Sequence, residues 1–211
     1  MLLDKPRAIA EAVHAVQYTH GHQAVHLALA LAERANVGLL DCDVKGPDVL
    51  RLLGLYDRPL AFDPHKRIIP LAYNDHLKVF SSASVFPQGT GLLWSGERVR
   101  EFLREAILDI EWGNVDCMVC DMDPSSTDSL FAIEDCYRDI RAILVSTPRG
   151  VSMDDVLRTV DILREQTIPI LGIVAAMTSS ECPVCHSEVQ CCNTSFVPFG
   201  TAEPVKDFAT K

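Results

Sequence analysis

The stretch YTHGHQAVHLALALAERANVGLLDCD, from Tyr18 to Asp43, decides the reading of this chain. It reads as a loop, then a helix rich in Ala and Leu from Ala24 to Arg34, then an apolar strand closing on two aspartates. Loop, helix and strand in that order are the frame of a phosphate-binding unit. Such a unit cradles phosphate oxygens with backbone N–H groups freed by glycines, neutralises them with a lysine and ligates Mg²⁺ with a Ser/Thr hydroxyl. Here Gly21 is the one glycine of the loop, and no lysine lies between Lys5 and Lys45. The loop is also about four residues shorter than the pattern needs. The frame is present and the phosphate chemistry is missing.

Outward from that stretch, apolar runs alternate with helical patterns. Strands are predicted at EAVHAVQ (11–17), NVGLLDC (36–42), LKVFSS (77–82), VDCMVCD (115–121), RAILVST (141–147) and IPILGIVAAM (168–177). Several are nearly uninterrupted apolar runs, as in strands covered on both faces. Val99, Leu103 and Ile107 recur every four residues within GERVREFLREAILDI, as do Val156 and Val160, followed by Leu163, within SMDDVLRTVDILRE; each set makes one apolar helix stripe. Ser152 with Asp155 reads as a capping box. The alternation predicts a single doubly wound, mostly parallel α/β sheet, with ligands beyond the carboxyl ends of the strands. Beyond residue 180 the composition becomes rich in Cys, Ser and Thr. The expected division is an α/β domain over 1–180 and a metal-binding tail over 181–211.

Bulk composition excludes several classes. The chain has 211 residues, 48 % apolar and 23 % charged, enough for one sizeable core. A net charge of −10 without a basic run argues against nucleic acid as a partner. No apolar stretch reaches the roughly 18 residues of a membrane span. The segment MLLDKPRAIAEAV lacks the apolar core of a signal peptide, so a cytoplasmic protein is expected, and its eight cysteines read as thiols or metal ligands.

Three carboxylates sit where the fold would place a ligand. Asp41 and Asp43 are two apart and point to one side of an extended strand, and Asp121 ends another apolar run. They suit Mg²⁺ held beside a phosphate, or turn formation, which Gly46-Pro47 and Asp123-Pro124 favour. The segments VGLLDCDVKGPDVLRLLGL (37–55), LLWSGERVREFLREAILDIEWGNVDCMVCDMDPSSTD (92–128) and STPRGVSMDDVLRTVDILREQTIPILGIVAAMTSSECPVC (146–185) resemble the Mrp/ApbC family. These are iron–sulfur cluster carrier ATPases within the MinD/ParA group of P-loop proteins. Trp94, Gly96, Trp112-Gly113, Asp116, Asp121, Thr147-Pro148 and the late cysteine pair fall in the family's order. The resemblance implies a homodimer, or a heterodimer with a related P-loop ATPase, and cluster delivery to apo iron–sulfur proteins. It also implies ATP near the interface and a [4Fe–4S] cluster bridged by a C-x-x-C from each subunit. By it Asp41 and Asp43 match the first switch region and Asp121 the Walker-B-type aspartate. The chain departs from the pattern wherever nucleotide is concerned. GKGGVGKST is replaced by YTHGHQAV, Ser125 and Thr127 replace glycines in MDPSSTD, and Ala176 stands for the adenine-holding asparagine. Gly21, Asp41, Asp43 and Asp121 therefore form a degenerate nucleotide site, with no catalytic residue assigned and ATP turnover not expected.

The stronger chemical signal is ECPVCHSEVQCCN. Cys182 and Cys185 form a C-x-x-C, with Cys191 and Cys192 as further ligand candidates. Two thiolates at that spacing grip one metal or two corners of a cluster. An iron–sulfur cluster and a structural zinc both fit; C-x-x-C-H also matches haem attachment, which the lack of an export signal disfavours. Cys42, Cys117, Cys120 and Cys136 lie in apolar contexts and read as core. His20, His22 and His26 have no nearby ligand partner and read as surface or capping residues.

Overall fold

The structure is a computed structural model and describes residues 11–17, 22–86, 92–123, 127–147 and 150–176, together with Lys206 and Ala209. The chain forms two compact units, residues 1–141 and 142–211. In the first, the elements in chain order are β1 (Glu11–Gln17), α1 (His22–Ala32), β2 (Val37–Asp41) and α2 (Val49–Leu52). Then come β3 (Ala61–Phe62), β4 (Ile68–Ile69), β5 (Leu71–Ala72), β6 (Leu77–Ser81), α3 (Gly96–Asp109), β7 (Cys117–Asp121) and α4 (Asp128–Cys136). Its main sheet has the order β5-β6-β2-β7-β1, parallel throughout except for the short antiparallel edge β5. β3 and β4 form a separate antiparallel hairpin. The second unit holds β8 (Ile140–Ser146), which starts at its boundary, then α5 (Gly150–Glu165) and β9 (Ile170–Ala175), with β8 and β9 parallel. The expected α/β class with a mostly parallel sheet is borne out. The expected boundary at residue 180 lies outside the described residues.

Each predicted strand forms. All five residues of β2 are buried, as suits a strand covered on both faces. α1 lays Ala24, Ala28 and Ala32 on the sheet at helical spacing, with Val25 beside them. Small side chains on that stripe let the helix approach β2 and β7 closely. α3 buries Val99, Leu103, Ala106 and Ile107, the expected stripe, and Ser95 caps it by accepting from the Arg98 N–H at 3.3 Å. The capping-box reading of Ser152 fails, because α5 begins at Gly150. Ser152 lies inside the helix and accepts from the Thr147 hydroxyl at 2.9 Å, while Asp155 pairs with Arg158. No helix among the described residues is long and apolar enough to cross a membrane.

Parallel register gathers the strand ends. Asp41 of β2 lies opposite both Ser81 of β6 and Asp121 of β7, and Ala15 of β1 lies opposite Asp121. Gly38, in mid-β2, keeps this part of the sheet close-packed. A Cβ there would lie 2.2 Å from the Met118 sulfur and 3.0 Å from the Trp112 ring. Gly38→Ala should therefore cost about 1–3 kcal/mol by overpacking, read as a lower urea midpoint with an unchanged m-value. An unchanged midpoint would mean that Met118 and Trp112 repack freely.

Candidate functional site

The carboxyl end of the first unit's sheet carries an acidic cluster assembled by register. Asp41 is 1 % exposed and Asp121 4 % exposed, side by side on β2 and β7. Ser81 donates its hydroxyl to Asp41 Oδ2 at 2.8 Å, and the Asp43 N–H donates to Asp41 Oδ1 at 3.2 Å. Asp43 Oδ1 in turn accepts from the backbone N–H groups of Lys45 (3.2 Å) and Gly46 (2.9 Å), folding the loop after β2 into a tight turn. The β2–β7 ladder runs one residue past the strand, with the Cys42 N–H donating to the Asp121 carbonyl at 2.8 Å. Ser129 of α4 closes this end by donating to the Cys42 carbonyl at 3.1 Å.

The electrostatics of the cluster are self-opposing. Burial pushes the Asp41 carboxyl up to about 8; the Ser81 hydrogen bond pulls the other way, and Asp43 and Asp48 push it further up. Burial also raises Asp121 well above the usual carboxylate range, reinforced by Asp41, Asp48 and Asp43. Asp43 is raised too, first by burial, against the Gly46 N–H and with Asp123 adding repulsion. Among the described residues, the charges that bear most on Asp41 and Asp121 are negative, where a nucleotide site needs a lysine. Beneath them Cys42 and Cys120 are fully buried neighbours, and burial drives the Cys42 thiol pKa well up, so this thiol is inert core.

Of the residues marked in the sequence, Asp41, Asp43 and Asp121 are brought together, and Cys42 and Cys120 are core as expected. Cys117 and Cys136 are half-buried. His26 is exposed on α1, in keeping with a surface role. His20, Gly21, Ser125, Cys182, Cys185, Cys191 and Cys192 lie outside the described residues. Sequence reasoning passed over Asp48 and Asp123. The signal for Asp123 was present: DCD at 41–43 and DMD at 121–123 are twin D-x-D runs at the ends of adjacent strands. Just four residues, 18–21, separate β1 from α1, half the roughly eight-residue span of a P-loop motif. Among the described residues, no group of three or more His, Cys, Asp and Glu is arranged to hold a metal ion. Asp41, Asp43 and Asp121 thus form no arranged donor set for Mg²⁺ among the described residues.

Comparison with known proteins accounts for this frame. Residues 21–199 match the model of the ParA-type family described as NUBPL iron-transfer P-loop NTPase. The chain belongs to that family. The iron-sulfur cluster carrier protein of Helicobacter pylori is 36 % identical over 167 residues, covering 78 % of this chain and 45 % of that protein. The cytosolic Fe-S cluster assembly factor Nubp2 homolog of Drosophila grimshawi is 32 % identical over 193 residues, covering 87 % and 71 %. The chain spans about half the length of the bacterial carriers it matches. In fold it is similar to the ADP-bound nucleotide-binding protein of Archaeoglobus fulgidus, with a TM-score of 0.72 at 21 % identity, covering 94 % of this chain and 76 % of that one. The MinD cell division ATPase of Pyrococcus furiosus gives 0.54 at 19 %, covering 78 % and 71 %. Mrp/ApbC-type membership and a MinD/ParA-like fold, both expected from the motifs, are thus borne out.

The pKa of Asp41 dictates a pH dependence. Its folded value of about 8 exceeds the ordinary 3.8, so the folded chain holds a proton that the unfolded chain releases. This contribution to stability is complete below about pH 4 and is lost as pH rises through about 8. The melting temperature should fall progressively between about pH 4 and about pH 8 and level off above that, by about 2–4 °C for each kcal/mol lost. Asp41→Asn should raise it at the alkaline end and flatten the slope. A slope unchanged in that variant would assign the titration elsewhere.

Proposed function

We propose that this chain is an iron–sulfur cluster carrier or scaffold of the Mrp/ApbC type, working in the cytosol without an ATP cycle of its own. The observation that carries the reading is the pairing of family and site. The chain belongs to a family of iron-transfer P-loop NTPases, yet its phosphate end is a buried run of aspartates behind a four-residue connection. Phosphoryl transfer depends on cations and oriented N–H donors around the phosphates. Crowded carboxylates that favour their protonated form oppose that chemistry. The cluster is cargo, held by Cys182 and Cys185, with Cys191 and Cys192 as supplementary thiols. Two thiolates supply half the ligands of a [4Fe–4S] cluster, so a second subunit completes it, either another copy or a related P-loop ATPase with an intact phosphate loop. Apo iron–sulfur proteins are then the recipients.

The test is metal and acid-labile sulfide content of the chain purified without oxygen, with native mass. About two irons and two sulfides per chain in a dimer are expected, and Cys182→Ser should abolish the iron while leaving the melting temperature of the apo chain unchanged. Zinc without sulfide, with that variant losing folding stability, would replace the carrier by a zinc-stapled binding protein. Titration calorimetry with ATP and Mg²⁺ should give no saturable heat; tight binding would restore an ATP-driven carrier.

A further inference from the structure

α3 buries one face and leaves the other bare. Opposite the stripe of Val99, Leu103, Ala106 and Ile107, the residues Glu97, Glu101, Arg104 and Leu108 recur every three or four positions, and all are exposed. Leu93, two residues ahead of the Ser95 cap, extends that row; it is 101 % exposed and Leu108 is 45 % exposed. Its neighbour Trp94 packs instead, with its ring centroid 5.4 Å from Phe86 and 5.2 Å from Phe102. That packing and the cap hold the Leu93 backbone in place. Arg100 flanks the row and, with Glu97, Glu101 and Arg104, lines an open groove of about 500 Å³.

Between the two leucines the charges are balanced. From Ser95 to Leu108 the chain carries Arg98, Arg100 and Arg104 against Glu97, Glu101 and Glu105, within a chain of net charge −10. α4 adds Asp128, whose carboxylate lies against Gly96, and Asp135, which pairs with Arg100 and stands 3.8 Å from Arg104. The order of these charges, rather than an excess of either sign, is the informative feature. Each charge in the row also keeps bonding capacity. Glu97 makes no ion pair among the described residues, and Arg104 has only its 3.8 Å contact with Asp135. Arg98 donates to Glu101 Oε2 at 2.6 Å, which leaves Oε1. Arg100 engages Asp135 through Nε and Nη2, which leaves Nη1.

The order is its own complement under a two-fold axis. When a second α3 lies antiparallel across the first, with the axis between Arg100 and Glu101, Glu97 meets Arg104 of the second copy. In the same register Arg100 meets Glu101 and Leu93 meets Leu108, and symmetry repeats every pair. A register one turn away sets Glu97 against Leu108 or against Glu101, and the match is lost. We propose that this face of α3 is a docking surface for a second copy of the chain, joined as an antiparallel helix pair. The leucines close the two ends of the ladder against water, and the crossed ion pairs fix register and orientation. Elsewhere two copies of so acidic a chain repel each other, so the balanced helix is where they can meet. The contact lies on α3 alone. It needs neither a cluster nor Cys182 and Cys185, and it is independent of the carrier reading.

The test is sedimentation of the whole chain over a concentration series up to about 1 mM, with Cys182→Ser and Cys185→Ser in place so that no cluster can bridge two copies. A reversible monomer–dimer equilibrium is expected, weakened by added salt. Glu97→Arg and Arg104→Glu should each weaken the dimer at least about tenfold, because each sets like charges opposite one another. The double variant carrying both should recover the parent's affinity, since its crossed pairs are restored with the signs exchanged. Leu93→Asp should weaken the dimer without rescue by either change. All three side chains are exposed, so melting curves of the dilute variants should match the parent. A chain that stays monomeric throughout, a dimer that none of these variants weakens, or a double variant no tighter than the single ones overturns the proposal.

Discussion

The described site rests on the in-register pairing of β2 with β7. Parallel ladders at constant register carry residue identity straight across a sheet, so Asp41 meets Asp121. Burying two carboxylates side by side is costly unless a cation or a proton joins them. In a phosphate-binding frame the usual remedy is a lysine and a metal ion. In this chain the described surroundings offer a serine hydroxyl, backbone N–H groups and more aspartates. Burial and the neighbouring carboxylates both favour the protonated forms of Asp41 and Asp121.

The same arrangement constrains the history one can read in the fold. The aspartates stay because they are woven into the backbone: Asp41 takes the Ser81 hydroxyl and the Asp43 N–H, and Asp43 shapes the turn to Gly46. They now hold the strand ends together whether or not nucleotide ever arrives.

Much of this was legible in the residues. The continuous apolar runs of β2 and β7 and the stripe of α3 announce their elements through burial, and all three form where expected. The small elements were not legible. β3, β4 and β5 are two residues each, too short for any period, and α2 is a single turn. They exist through tertiary bonds such as Glu111 to Ile68 that no local pattern reports. α4 was missed for another reason: DSLFAIEDC holds buried Ser129 and Ala132 among its core positions, which weakens the apolar contrast a periodic reading needs. Asp41, Asp43 and Asp121 were legible as strand ends. That Asp48 also acts on Asp121 depends on the pairing of β2 with β7, a tertiary fact.

The acidic corner also bears on how the proposed carrier, without a fuel cycle of its own, would work. A nucleotide-driven relative changes state when phosphate chemistry reorganises the loops at its strand ends. Here the corresponding loop is tied by Asp43 to Lys45 and Gly46, and Ser129 of α4 holds the Cys42 carbonyl. Those bonds join the loop after β2 to the helix after β7. A corner locked in this way suits a scaffold that presents its cargo in one fixed arrangement. On the proposed reading, any work of releasing the cluster falls to the second subunit or to the recipient, whose affinity for the cluster would supply the driving force.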